Sequence, residues 1–185
     1  SGAMIDLTRA MAAGTSSSAY TRSFTVDGAL VLCDGTYYTH LQVRAADFTL
    51  TGLDGSGSTT IQGDGSAAVV TAYNTTSTVL IEGVTIRDGS STYGGGIYGG
   101  THGLDLELDD VVVEDCYASS QGGGVYHYGG VLTATDLVLD GNQAGSYGGG
   151  LCAYSTDVYI DGLVATDNTS ASYGGGLYLR DGDVE

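Results

Sequence analysis

Three acids recur at one position of a repeated segment: Glu82, Asp109 and Asp161, with Thr135 in the remaining copy. Asp110 and Asp136 sit beside this column. Stacked carboxylates raise one another's pKa and can divide into an acid and a base. That is the equipment of a glycoside hydrolase, and Asp109, Asp136 and Asp161 are the candidates for it. The same oxygens suit Ca2+, which takes several oxygen ligands. Asp109, Asp110, Asp136 and Asp161 are therefore candidate ligands of a weak calcium site, although the nonapeptide calcium repeat GGxGxDxUx is absent. Aspartate is also a good bend residue. These acids follow the repeat instead of breaking it, whereas a catalytic site usually breaks local regularity. The preferred reading is bend chemistry and solubility, with no catalytic residue and no cofactor.

A second set of candidates is aromatic. Tyr98, Tyr126 and Tyr178 fall at one repeat position, and His127 follows Tyr126. Aromatic ladders can pack against sugar rings, because the apolar surfaces of both lose water together. They can equally cover a glycine-rich surface. Tyr98, Tyr126, His127 and Tyr178 are the candidate ligand contacts. His40, His102 and His127 occupy different repeat positions, which argues against a metal trio. Cys33, Cys116 and Cys152 are odd in number and show no CxxC spacing, so isolated thiols are expected. Asn74-Thr75-Thr76 and Asn168-Thr169-Ser170 match the glycosylation acceptor pattern. Threonine is frequent but keeps to no single outward column, which argues against an ice-binding face.

Charge narrows the partners. There are 22 acids against five arginines, no lysine, and a formal charge of −17. A nucleic acid would meet repulsion where it needs phosphate neutralisation, so DNA and RNA binding are excluded. Anionic membranes and polyuronates are disfavoured for the same reason. No apolar run reaches the length of a membrane span, and no signal peptide is visible. The opening Ser1-Gly2-Ala3-Met4 reads as a cloning scar. Asp183-Val184-Glu185 stops in mid-repeat, so a longer parent protein is expected.

What must position these residues is a repeat. Glycine triplets begin at Gly94, Gly122, Gly148 and Gly174, spaced by 28, 26 and 26 residues. Each precedes an aliphatic residue: Ile97, Val125, Leu151, Leu177. A fixed period of this size marks a solenoid, whose units bury their apolar faces only against neighbours. Between the triplets, alternating segments give inward columns. These are Val79, Leu106, Leu132, Val158; then Ile81, Leu108, Ala134, Ile160; then Val84, Val111, Leu137, Leu163; and Ile86, Val113, Leu139, Ala165. Gly83, Asp110, Asp136 and Gly162 form a bend column, and a second bend is expected at Gly89, Cys116, Asn142 and Asn168. Each copy thus reads as two short strands around a bend, followed by a triplet strand. The expected fold is all-β: a right-handed parallel β-helix with three-strand coils of about 26 residues. A short amphipathic helix over residues 5–13 is expected to cap it. Residues 1–22 are read as scar, helix and connector, and residues 23–185 as the solenoid.

The run Val31-Leu32-Cys33-Asp34-Gly35-Thr36-Tyr37 resembles the early "PGTY" element of the pectin-lyase-like superfamily, with Asp34 in place of proline. Gly52-Leu53-Asp54-Gly55-Ser56-Gly57 and Ile81-Glu82-Gly83-Val84-Thr85-Ile86 are also similar to that family. The triplets and Asp167-Asn168 resemble repeats of polymorphic outer membrane proteins and large bacterial surface proteins. The resemblance implies a right-handed β-helix, and, for an enzyme, a polysaccharide lyase or glycoside hydrolase. A lyase needs a basic proton acceptor, and only Arg44, Arg87 and Arg180 fall within coils. Fold alone does not carry activity. The expected function is a non-enzymatic, secreted or cell-surface module, an adhesive or structural stalk whose partner is a glycan or surface protein. End-to-end self-association is a further expectation. The alternative is a carbohydrate-active enzyme using the acidic column.

Overall fold

The computed structural model describes residues 20–24, 27–44, 47–73, 77–100 and 103–185. The capping helix expected over residues 5–13 lies outside them. Among the described residues there is no helix. The strands are β1 (Tyr20–Phe24), β2 (Gly28–Leu32), β3 (Gly35–Val43), β4 (Phe48–Gly52), β5 (Thr59–Gln62) and β6 (Val70–Ala72). Four coils of one plan follow: β7 (Ser77–Arg87), β8 (Ser90–Tyr93), β9 (Ile97–Gly99); β10 (Leu104–Glu114), β11 (Tyr117–Gln121), β12 (Val125–Tyr128); β13 (Val131–Asp140), β14 (Gln143–Ala144), β15 (Leu151–Tyr154); and β16 (Asp157–Thr166), β17 (Thr169–Ser170), β18 (Leu177–Arg180).

All pairing is parallel, and each strand bonds to its counterpart in the next coil. The chain is a parallel β-solenoid of about five turns. Its long strands stack in the order β16-β13-β10-β7, its triplet strands as β18-β15-β12-β9-β6, and its short strands as β17-β14-β11-β8. The 26-residue repeat follows from register: Leu106 pairs with Leu132, Leu132 with Val158, and Val158 with Val184. Earlier coils are irregular, because β4 and β5 share the single strand β7 as partner.

The inward columns hold. Val79, Leu106, Leu132 and Val158 are no more than 1 % exposed, and Val84, Val111 and Leu137 are fully buried. Burying each aliphatic side chain contributes roughly 1.5–3 kcal/mol. Ile160, Leu163 and Leu177 are only partly buried and Ala165 is exposed, since these belong to the last complete coil.

Two details differ from expectation. The expected strand pairs are single long strands. The residues at their midpoints, Gly83, Asp110, Asp136 and Gly162, have φ of 64°, 49°, 50° and 76°, so each strand turns a corner without losing its ladder. The second corner lies one residue earlier than expected, at Asp88, Asp115, Gly141 and Asp167, with φ of 56°, 52°, 65° and 52°. Aspartate tolerates the left-handed region better than most residues.

That shift points the next side chain inward. Cys116 and Asn142 are buried at 1 % and 0 % exposure. Asn142 Oδ1 accepts the Cys116 N–H (3.1 Å), and its Nδ2 donates to the Val113 carbonyl (2.8 Å). Asn168 Oδ1 accepts the Asn142 N–H (3.0 Å), while Asn168 Nδ2 donates to the Leu139 carbonyl (2.7 Å). The side chain of Asn168 is therefore part of this ladder. Asn142→Ala strands a buried N–H and a buried carbonyl. It is expected to cost about 2–3 kcal/mol, read as a lower urea midpoint.

Candidate functional site

The outer face of the triplet strands carries the most continuous arrangement of chemical groups. Alternation places Ile97, Val125 and Leu151 inside at full burial, so Tyr98, Tyr126 and Cys152 face out at the next position. Parallel register then stacks Tyr98 on Tyr126, with ring centroids 5.8 Å apart and planes 8° apart. Cys152 interrupts the column, and Tyr154 fills the gap: it lies 6.4 Å from Tyr126 and 5.6 Å from Tyr178. Tyr178 stacks on Tyr147 at 4.8 Å, and Tyr147 stacks on Tyr173 at 5.8 Å. At the other end, Tyr73 meets Tyr98 edge-on at 6.3 Å, and Tyr93 leans on Tyr126 at 5.1 Å. Arg44 lies 5.1 Å over the Tyr73 ring and Arg180 5.9 Å over the Tyr154 ring, both within cation–π range.

The sequence-predicted members Tyr98, Tyr126 and Tyr178 thus belong to one ribbon. Tyr73, Tyr93, Tyr147, Tyr154 and Tyr173 were not singled out from sequence. Tyr93, Tyr147 and Tyr173 each immediately precede a glycine triplet, a column visible in the sequence. Burial is the first cause that pushes the Tyr126 phenol up to about 12, with Cys152 and neighbouring tyrosines adding to it. The Tyr154 phenol is raised well above the ordinary range, again first by burial. The Tyr126 and Tyr154 phenols are therefore uncharged at neutral pH. Cys152, fully buried beneath the ribbon, has its thiol pushed up to about 12 by burial and is a poor nucleophile.

His127 departs from expectation. It lies two residues after the inward Val125, so its ring points into the solenoid at 0 % exposure and offers no surface to a ligand. Room comes from Gly99, where an added Cβ would lie 2.7 Å from the ring, and from Ala153 in the coil above. The Thr156 hydroxyl donates to the Tyr154 carbonyl (2.9 Å), so it accepts from His127 Nδ1 (3.2 Å). Nε2 has no hydrogen-bond partner. Desolvation lowers the imidazole pKa to about 4, opposed by the Leu104 backbone and the Asp105 carboxylate.

His40 is also buried, with Nε2 at 2.9 Å from Asp64 and Nδ1 at 3.0 Å from the Ala68 carbonyl. Both ring nitrogens are engaged within the solenoid. His102 lies outside the described residues.

The acids are distributed along the solenoid. Glu82, Asp109, Thr135 and Asp161 follow one another in register, so Asp109 and Asp161 stand two rungs apart, roughly 9–10 Å in backbone spacing. Glu82 accepts the Thr51 hydroxyl (2.7 Å). Asp110 accepts the Ser56 N–H (3.0 Å) and hydroxyl (2.7 Å), tying the loop after β4 to the corner. Asp136 lies against Gly162, where an added Cβ would come within 2.5 Å of its carboxylate. Among the described residues, no three His, Cys, Asp or Glu side chains are grouped to hold a metal ion. A cleft of ≈ 410 Å³ opens beside the ribbon instead, lined among others by Gln42, Thr71, Ser91, Tyr93 and Tyr98. The connection from Gln62 to Val70 supplies Ser66, Ala67 and Ala68 to its wall, and β8 supplies Ser90, Ser91, Thr92 and Tyr93. Comparison with family models, curated proteins and solved structures found no match to this chain.

Proposed function

We propose that the protein is a non-enzymatic, rigid β-solenoid module of a secreted or cell-surface protein, and that it contacts a neutral glycan through the tyrosine ribbon. The observation that supports this reading is the continuous series of tyrosines on the outside of one face, beside a cleft whose lining includes hydroxyl, amide and phenol groups together with His40, Ala67 and Ala68. Hydroxyl-rich, uncharged ligands match phenol edges and amides. A chain of net charge −17 disfavours acidic ones. Right-handed winding belongs to the same reading, since parallel crossovers overwhelmingly take that hand. So does kinship with the pectin-lyase-like and surface-protein repeats.

Affinity electrophoresis through neutral and acidic polysaccharides tests it. Retardation by a neutral polymer is expected, weakened roughly tenfold in a Tyr98→Ala, Tyr126→Ala double variant. Retention that is indifferent to both changes refutes ribbon binding. Release of reducing ends, abolished by Asp109→Asn with Asp161→Asn, favours the carbohydrate-active enzyme instead.

A further inference from the structure

We propose that the tyrosine ribbon is a site of oxidative modification, in which Tyr147 couples covalently to Tyr173 or Tyr178 and staples two consecutive coils. The inference needs only the ring geometry and is independent of any glycan.

Tyr147 is the ring with two close, nearly parallel partners in the next coil. Tyr178 lies at 4.8 Å and 25°, and Tyr173 at 5.8 Å and 12°. Tyr147 and Tyr173 are also backbone bridge partners, so their Cα atoms sit on adjacent rungs. Tyr173 is 65 % exposed, the most solvent-accessible ring of the ribbon, and an external oxidant reaches it first. Every further step along the ribbon to Tyr73 is no more than 6.4 Å between centroids. An electron vacancy created elsewhere in the ribbon therefore has a path to this end.

The reaction balances with hydrogen peroxide acting through a haem peroxidase. Each of two phenols loses one electron and its phenolic proton to give a phenoxyl radical. The radicals join through the ring carbons ortho to oxygen, forming one C–C bond. The two ortho hydrogens then move to oxygen through solvent, and both rings regain aromaticity. The two electrons and two protons released reduce one peroxide to two waters. Burial makes the Tyr126 and Tyr154 phenols reluctant to part with their protons, which disfavours coupling at the middle of the ribbon.

The test exposes the whole chain to peroxidase and peroxide at low protein concentration. Dityrosine fluorescence is followed, and peptides are mapped after an aspartate-directed protease, which cuts at Asp157, Asp161 and Asp167 between the partners. The expected product is a monomer lighter by two hydrogens, with the Tyr147 peptide joined to that of Tyr173 or Tyr178. Tyr147→Phe keeps the stacked ring and is expected to lose most of the fluorescence. Tyr117→Phe is expected to lose none, because Tyr117 has no ring contact among the described residues. Circular dichroism of both variants verifies that they fold. Coupling that follows exposure alone, with Tyr117 and Tyr159 modified as readily as Tyr147, overturns the proposal. So does cross-linking solely between molecules, or fluorescence undiminished in Tyr147→Phe.

Discussion

Gly149→Ala is expected to destabilise the solenoid by about 4 kcal/mol or more, among the largest effects a single methyl can have. The added Cβ would lie 2.2 Å from the Gly175 carbonyl oxygen and 2.3 Å from that of Thr169. Both atoms are backbone, and no side chain can swing aside. Coil spacing cannot widen locally either, because Gly149 N–H donates to the Gly174 carbonyl at 3.0 Å and Leu151 N–H to that of Gly176 at 2.9 Å. The middle glycines of the first three triplets, Gly95, Gly123 and Gly149, are thus required by close approach of successive coils. Gly175→Ala is the control. Its nearest obstacle is 3.1 Å away, the Asn168 carbonyl, and the expected cost is about 1 kcal/mol. Urea denaturation followed by circular dichroism measures both. Equal costs would show that carbonyl contact is not what selects glycine.

Acidification should weaken the fold through His127. Its folded pKa of about 4 lies below the ordinary 6.5, so the unfolded chain takes up a proton that the folded chain refuses. The contribution is complete above the unfolded pKa. It is lost as pH falls from about 6.5 towards 4, at a cost of roughly 3 kcal/mol. The decisive quantity is the difference between the wild type and His127→Leu, which has no group to protonate. Denaturant midpoints at pH 7 and pH 4.5 should fall more in the wild type. Parallel pH profiles of the two proteins would contradict the burial of a neutral ring.

Much of the scaffold was readable because period 2 inside period 26 leaves few alternatives. Val79, Leu106, Leu132 and Val158 had to face inward once the strands were in register. The corner at Cys116 and Asn142 was misplaced by one residue, because asparagine is both a turn former and a good buried ladder residue. Only the backbone shows that Asp115 and Gly141 take the left-handed step. His127 was misassigned for a different reason. Its place directly after the outward Tyr126 suggests a surface contact, although counting two from Val125 points inward, and Gly99 marks the vacated volume. The tyrosine ribbon was half legible. The column through Tyr98, Tyr126 and Tyr178 is explicit, but the bridging by Tyr154 and the side branch through Tyr147 depend on how rings lean between columns.

The corner aspartates also set how the molecule responds to its medium. Asp88 and Asp115 occupy equivalent corners of consecutive coils, as do Asp110 and Asp136. Rungs lie about 4.8 Å apart, well inside the ~10 Å screening distance at 0.1 M ionic strength. Like charges thus stand on adjacent rungs at these corners, closer than dilute electrolyte can shield them, with Arg87 beside Asp88 and Glu114 as a counter-charge. Added salt is therefore expected to raise the urea midpoint, and dilute buffer to lower it.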